Sequence, residues 1–249
     1  MPAKENPAPS LSEAWEKEAR RWAMWAREPG HDSYWRFHRE QFFGLLPEPG
    51  RLTLDVGCGE GRVSRDLKRL GHTVIGLDAS ATLIELAREA DPGGAYFHAR
   101  ASSLPLEDAC ADLVVAFMSL QDVDDLEPSV LEIARVLGGG GRASIAIVHP
   151  LNSAGKFTTS EAESEFVIKR SYLHEFRYSD GVEKHGLEMT FHSQHRPLEH
   201  FSRAFERAGL VMEAIREHPV PDDVATKPAW QRWQRVPLFM DMRLLKLAR

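Results

Sequence analysis

The chain has 249 residues, 43 % hydrophobic and 27 % charged, with 31 Lys and Arg against 37 Asp and Glu and a formal net charge of −6. That length suits one full α/β core with decoration, or two small domains, and the mild acidity, unbroken by any Lys/Arg run, argues against nucleic acid or an anionic membrane as the main partner. Two cysteines, Cys58 and Cys110, are too few for a disulfide framework, so a reducing cytoplasm is the expected compartment.

The first stretch, MPAKENPAPS, lacks an apolar core and reads as a frayed tail rather than a signal peptide. Residues 11–27 read as a helix with Trp15, Trp22 and Trp25 near one face, stopped by Pro29 and Gly30. A second helix is expected over 34–46. The texture then changes to short apolar runs alternating with helices: a strand breaking into glycines at 51–58, a helix at 61–71, a strand at 73–78, a helix at 81–90 and a strand at 95–100. DLVVAFM (112–118) and ASIAIVH (143–149) read as buried strands flanking a helix at 126–137. Gly138 to Gly141 read as a helix stop and loop. None of these apolar stretches, Leu113 to Leu120 included, is long enough to span a bilayer.

Alternation at this spacing indicates βαβ units and a largely parallel sheet, hence an α/β fold. The pattern breaks over 151–197, which looks irregular or hairpin-like, with Ser179-Asp180-Gly181 as a turn and LEMTFHSQ (187–194) as a strand. A helix at 198–208 and strands at 210–216 and 238–247 complete the chain. The expected organisation is an N-terminal tail and helical cap over 1–46, and a main domain over 47–249 carrying the 151–197 segment as a substrate-side insertion after the fifth strand.

The informative stretch is LDVGCGEGR, residues 54–62, where a strand end opens a helix. Gly57, Gly59 and Gly61 allow a sharp turn and a close ligand approach. Their spacing is G-x-G-x-G, not the G-x-G-x-x-G of dinucleotide phosphate loops. Asp55 is badly placed beside a pyrophosphate and well placed near an ammonium or sulfonium group. Asp78 ends the next strand, where a carboxylate accepts hydrogen bonds from ribose hydroxyls. Together these describe a pocket for a nucleoside with a cationic, amino-acid-like tail, which is S-adenosylmethionine.

On these residues the chain resembles the class I S-adenosylmethionine-dependent methyltransferases, and is similar to the ubiquinone and menaquinone biosynthesis group. The resemblance is specific over about 51–149 and looser to residue 247. It implies a Rossmann-like seven-stranded, mostly parallel sheet with helices on both faces and an antiparallel last strand. It implies cofactor contacts from Asp55, Gly57, Cys58, Gly59, Gly61, Arg62, Asp78 and Ala79, and from Phe117 and Met118 at the end of the fourth strand, with Leu120 on the substrate side. The acid that family members often carry before a Leu-Pro pair is missing from His98-Ala99-Arg100-Ala101-Ser102-Ser103-Leu104-Pro105. The Ala101 backbone and Ser102 hydroxyl are expected in its place.

Each remaining candidate also has a plain structural role open to it. Cys58 reads as a small filler rather than a nucleophile. The tryptophan stripe packs against the main domain or touches substrate, and His31 and Tyr34 stand where a loop would reach the pocket mouth. Five histidines crowd residues 174–200 without a zinc-like spacing, so no metal is expected. His192 shares a strand face with Glu188, Thr190 and Gln194 and is one candidate general base; His149, at a strand's carboxyl end, is the other. Arg196 holds a substrate carboxylate or pairs with a surface acid. The expected function is methyl transfer to a small-molecule acceptor, through O, N, C or S, leaving S-adenosylhomocysteine. A nicotinamide-dependent oxidoreductase and a non-catalytic cofactor-binding module are the alternatives, and monomer versus homodimer stays open.

Overall fold

The computed structural model describes residues 9–248, so most of the tail expectation lies outside the described residues. Helix α1 spans Leu11–Arg27. It starts where Ser10 Oγ accepts from the Glu13 amide and the Glu13 carboxylate accepts from the Ser10 amide, a reciprocal cap. One π-helical turn, Tyr34–His38, then runs into α2 (Arg39–Phe43). Tyr34 and Phe42 are buried against Phe117, with ring centroids 5.4 and 5.0 Å away. The second expected helix therefore belongs to the core layer.

The alternating segment gives β1 (Thr53–Val56), α3 (Arg62–Arg69), β2 (Val74–Asp78), α4 (Ala81–Ala90), β3 (Ala95–His98), β4 (Ala111–Phe117), α5 (Leu126–Val136) and β5 (Leu137–Val148). Next come α6 (Pro150–Ala154), the short pair β6 (Gly155–Phe157) and β7 (Phe166–Ile168), and the hairpin β8 (Phe176–Lys184) and β9 (Leu187–His195). The chain closes with α7 (Leu198–Arg207), β10 (Leu210–Arg216), α8 (Pro228–Gln231) and β11 (Phe239–Lys246).

Seven strands form one sheet in the order β10-β11-β5-β4-β1-β2-β3. The β1, β2, β3, β4 and β5 pairings are parallel, and β11 runs antiparallel to both β5 and β10. Side chains of β4 alternate between two cores. Val114 and Ala116 pack with α5 and α7, while Leu113, Val115 and Phe117 pack with α3 and the Tyr34–Phe43 segment. Both faces are covered, which is why these strands read as continuous apolar runs. The chain leaves β1 for β2 on one side and reaches β4 on the other, so a crevice opens at the carboxyl ends of β1 and β4.

Two local readings are corrected. Gly138 to Gly141 lie inside β5, not in a loop. The β4–β5 register shifts between Ala111 and Leu113, and a Cβ on Gly141 would lie 2.9 Å from the Gly138 carbonyl oxygen, so bare backbone lets the bulged strand fold tightly. Ser179-Asp180-Gly181 lie within β8, opposite His192, Phe191 and Thr190. The turn is His185-Gly186, with φ +53° and +77°, a two-residue connection whose twist matches the flanking strands.

Candidate active site

The glycine loop is folded by its own hydrogen bonds. Gly57, Gly59 and Gly61 have φ of +76°, +57° and +84°. A Cβ on Gly57 would sit 2.3 Å from Ser119 Cβ, so the loop must pass bare against the end of β4. The Gly57 and Cys58 amides donate to the Leu77 carbonyl at 2.7 and 3.0 Å, and the Gly61 amide to the Cys58 carbonyl at 3.0 Å. The Gly59 amide donates to Asp78 Oδ2 at 2.8 Å. Four of the amides that a pyrophosphate would need are thus already engaged. The Asp78 carboxylate beside the loop repels it further, while Glu60 is matched by Arg27 and Arg65 at 2.8 Å.

Beyond the loop lies a cavity of about 1150 Å³, bounded by Gly57 to Glu60, Asp78 to Ser80, Ala99 to Ser102 and Phe117 to Ser119. Such a volume lies just above the roughly 300–1,000 Å³ typical of small-molecule sites. Asp78 Oδ1 accepts from the Ser80 amide at 2.8 Å. Each carboxylate oxygen keeps a lone pair for a further donor, an arrangement that fits a vicinal diol. Burial raises the Asp78 pKa, against the pull of the Ser80 and Gly59 amides. Met118 adopts φ +54°, a costly conformation for a long side chain, just where β4 meets the cavity.

Helix α1 roofs the site, with Ser12, Trp15 and Trp22 among the lining residues. Four anchors hold it. Asp124 accepts from the Leu11 amide at 2.8 Å, Glu16 accepts from the Ser80 and Thr82 hydroxyls, Trp15 Nε1 donates to the His192 carbonyl at 2.8 Å, and Arg27 donates to the Leu86 carbonyl at 2.9 Å. Trp15, Trp22 and Trp25 all meet Phe191 edge to face. Opposite the glycine loop, Asp122 Oδ1 accepts from Ser193 Oγ at 2.7 Å, and Tyr178 faces Ser193 across the hairpin. Burial pushes the Asp122 carboxyl well above the usual range and raises the Tyr178 phenol. All three line the cavity.

Comparison with known proteins agrees with this geometry. Residues 54–145 match the family model described as a methyltransferase domain. This segment is similar to methyltransferase domains. A malonyl-[acyl-carrier protein] O-methyltransferase of Pectobacterium atrosepticum is 33 % identical over 108 residues, 43 % of each chain. An uncharacterized methyltransferase of Synechocystis is 32 % identical over 116 residues, 46 % of this chain and 55 % of its own. The chain spans about half the length of these curated relatives. The crystal structure of an S-adenosylmethionine-dependent methyltransferase from Mesorhizobium loti shares the fold, with TM-score 0.69 and 24 % identity over 86 % of this chain and 98 % of that one.

Around the cavity the structure gathers Gly57, Cys58, Gly59, Arg62, Asp78, Ala79, Ala101, Ser102, Phe117, Met118 and Tyr34. Arg62 is held by Asp32 at 2.7 Å and by the faces of Trp22 and Tyr34. Burial pushes the Cys58 thiol well up, consistent with a filler. Asp55 and Gly61 lie behind the lining: Asp55 is 1 % exposed and accepts from Ser64 Oγ at 2.6 Å, and Gly61 backs onto Tyr96.

The other candidates are placed elsewhere. His31 is buried between Trp25 and His185, and Leu120 is fully buried in the core. Arg196, 3 % exposed, donates to the Leu120, Val123 and Asp124 carbonyls, so it pins the β4–α5 connection rather than reaching a ligand. Neither expected base lines the cavity. His149 Nδ1 accepts from the Leu151 amide to cap α6, and its Nε2 lies 2.7 Å from Glu217. On β9 the inward residues are Phe191 and Ser193, so His192 stands on the opposite face, 2.9 Å from Ser179 Oγ. Among the described residues, no three His, Cys, Asp or Glu side chains converge to hold a metal, and no helix is long and apolar enough to cross a membrane.

Proposed function

We propose that the chain binds S-adenosylmethionine and transfers its methyl group to a small molecule. The observation that carries this is the pairing of an internally hydrogen-bonded glycine loop with Asp78, which lines the cavity and whose two oxygens each accept a single backbone amide. That set suits a ribose and a cationic tail and repels a dinucleotide's phosphates.

Asp78 would take the ribose hydroxyls and Ala79, Ala101 and Ser102 the adenine, while Gly57 and Gly59 offer bare backbone to the tail. Asp32 and Arg62, already paired, present one charge of each sign to an amino-acid end. The cofactor, when bound, supplies an activated methyl on a sulfonium, so the chain's task is to position and desolvate. Helix α1, with the 151–197 segment, excludes water as a lid. Asp122 is the carboxylate we place nearest the acceptor, its raised pKa suiting it to hold a proton released from an oxygen or nitrogen nucleophile. This role replaces those expected of His149 and His192.

Titration of the full chain with S-adenosylhomocysteine tests the reading. Saturable one-site binding is expected; no binding by a folded protein would overturn it.

A further inference from the structure

The cavity is electrically two-ended. Its inner end carries Asp78 beside the glycine loop, the right sign for a sulfonium. Its outer end carries Lys156, Lys169, Arg170 and Arg232, in a chain whose net charge is −6. Among the described residues none of these four lies within 4.0 Å of a carboxylate. Ion pairs on the same segments use other side chains, Arg177 with Asp124 at 2.9 Å and Arg235 with Glu163 at 3.9 Å.

Local structure ties the four residues to one corner of the cavity lining. Lys169 and Arg170 follow β7, and their amides both donate to the Ala154 carbonyl, two residues before Lys156 on β6. Arg232 donates to the Thr159 carbonyl just after β6 and lies 5.0 Å over the Phe157 ring. Arg170 lies 4.8 Å over Phe176. Phe157, Phe176 and Trp233 also line the cavity, so the charges sit on an aromatic wall. Four uncompensated cations around one concavity repel one another, and a bound anion would relieve that repulsion.

We propose that this corner is the acceptor subsite and that it recognises a small organic acid, with the carboxylate among Lys156, Lys169, Arg170 and Arg232 and the apolar body on Phe157, Phe176 and Trp233. The proposal rests on reading the inner end as the cofactor's. A neutral or cationic acceptor would leave the four charges unanswered, and a bare inorganic anion would leave the aromatic wall without a use.

The test is calorimetric titration of the full chain with 2-naphthoate, its neutral isostere 2-naphthamide, and acetate, with and without saturating S-adenosylhomocysteine. Naphthoate is expected to bind about tenfold or more tightly than either control, and more weakly as salt rises. Lys156→Gln with Lys169→Gln, side chains that make no hydrogen bond within the described chain, should weaken naphthoate about tenfold. The same double variant should leave naphthamide, the melting temperature and S-adenosylhomocysteine affinity unchanged. Arg170→Gln with Arg232→Gln gives an independent second pair. Equal binding of naphthoate and naphthamide, an unaltered naphthoate affinity in both variants, or no naphthoate binding would overturn the proposal. Acetate binding as tightly as naphthoate would overturn the aromatic part of it. Failure of S-adenosylhomocysteine to bind would instead count against the cofactor reading, and the naphthoate titrations without it are judged separately.

Discussion

Replacing Asp55 with Asn is expected to stabilise the cofactor-free protein at neutral pH while the wild type loses stability as pH rises. Burial at the end of β1, aided by the Asp78 carboxylate and opposed by the Ser64 hydroxyl, lifts Asp55 from 3.8 to about 7. The unfolded chain releases this proton near the lower value and the folded chain near the higher one. Between them the folded state binds the extra proton, so this site's contribution declines from about pH 4 to about pH 7 and is then constant. Each pH unit of that window is worth about 1.4 kcal/mol, so the ionised carboxylate costs up to about 4 kcal/mol above pH 7. Asparagine keeps a carbonyl for Ser64 and carries no charge. Urea unfolding of both proteins across this range should give curves that start together in acid and diverge, with the variant ahead at pH 8. Curves that stay parallel would refute the claim that Asp55 is a desolvated, protonatable group.

Other outcomes follow from the same geometry. Gly57→Ala forces a Cβ to within 2.3 Å of Ser119 Cβ at φ +76°, so thermal unfolding should show a loss of about 2–3 kcal/mol or more, with S-adenosylhomocysteine binding abolished. Asp124→Ala removes the carboxylate bonded to the Leu11 and Ser12 amides; hydrogen exchange across 11–27 should rise as local opening becomes easier by about 1 kcal/mol, and unchanged exchange would show that Asp124 does not latch the roof. An aromatic disulfide reagent should titrate Cys110 in the folded protein and Cys58 only on unfolding, because Cys58 is 6 % exposed and its thiol is raised by burial; early reaction of both would contradict its placement.

The parts of the fold legible from sequence were those governed by local rules. Continuous apolar runs marked the doubly covered strands β4 and β5, and the glycine run with Asp78 marked residues of which Gly57, Gly59 and Asp78 border one cavity. The hairpin shows where this stops. Alternation along residues 187–194 says that β9 has two faces, but the choice between them is made by Trp15, Trp22 and Trp25 packing on Phe191 from far along the chain. That packing turns Ser193 inward and His192 outward. Ser179-Asp180-Gly181 has turn-forming residues, yet the two positive-φ residues at His185-Gly186 set the register. Asp122, Tyr178 and Ser193 come from a β4–α5 connection and two hairpin strands, and no sequence spacing joins them. The four cations of the outer corner are likewise scattered over residues 156–232 and are linked only by tethers to the backbone on either side of β6.

We propose the inner end of the cavity as a nucleoside site built on Asp78 and not a dinucleotide site. Calorimetric titration of the wild type and Asp78→Ala with S-adenosylhomocysteine, and of the wild type with NADH, tests it most directly. One-site binding of S-adenosylhomocysteine to the wild type, a loss of about tenfold or more in Asp78→Ala, and no binding of NADH are expected. An Asp78→Ala protein that binds S-adenosylhomocysteine as tightly as the wild type, or a wild type that binds NADH instead, would contradict it.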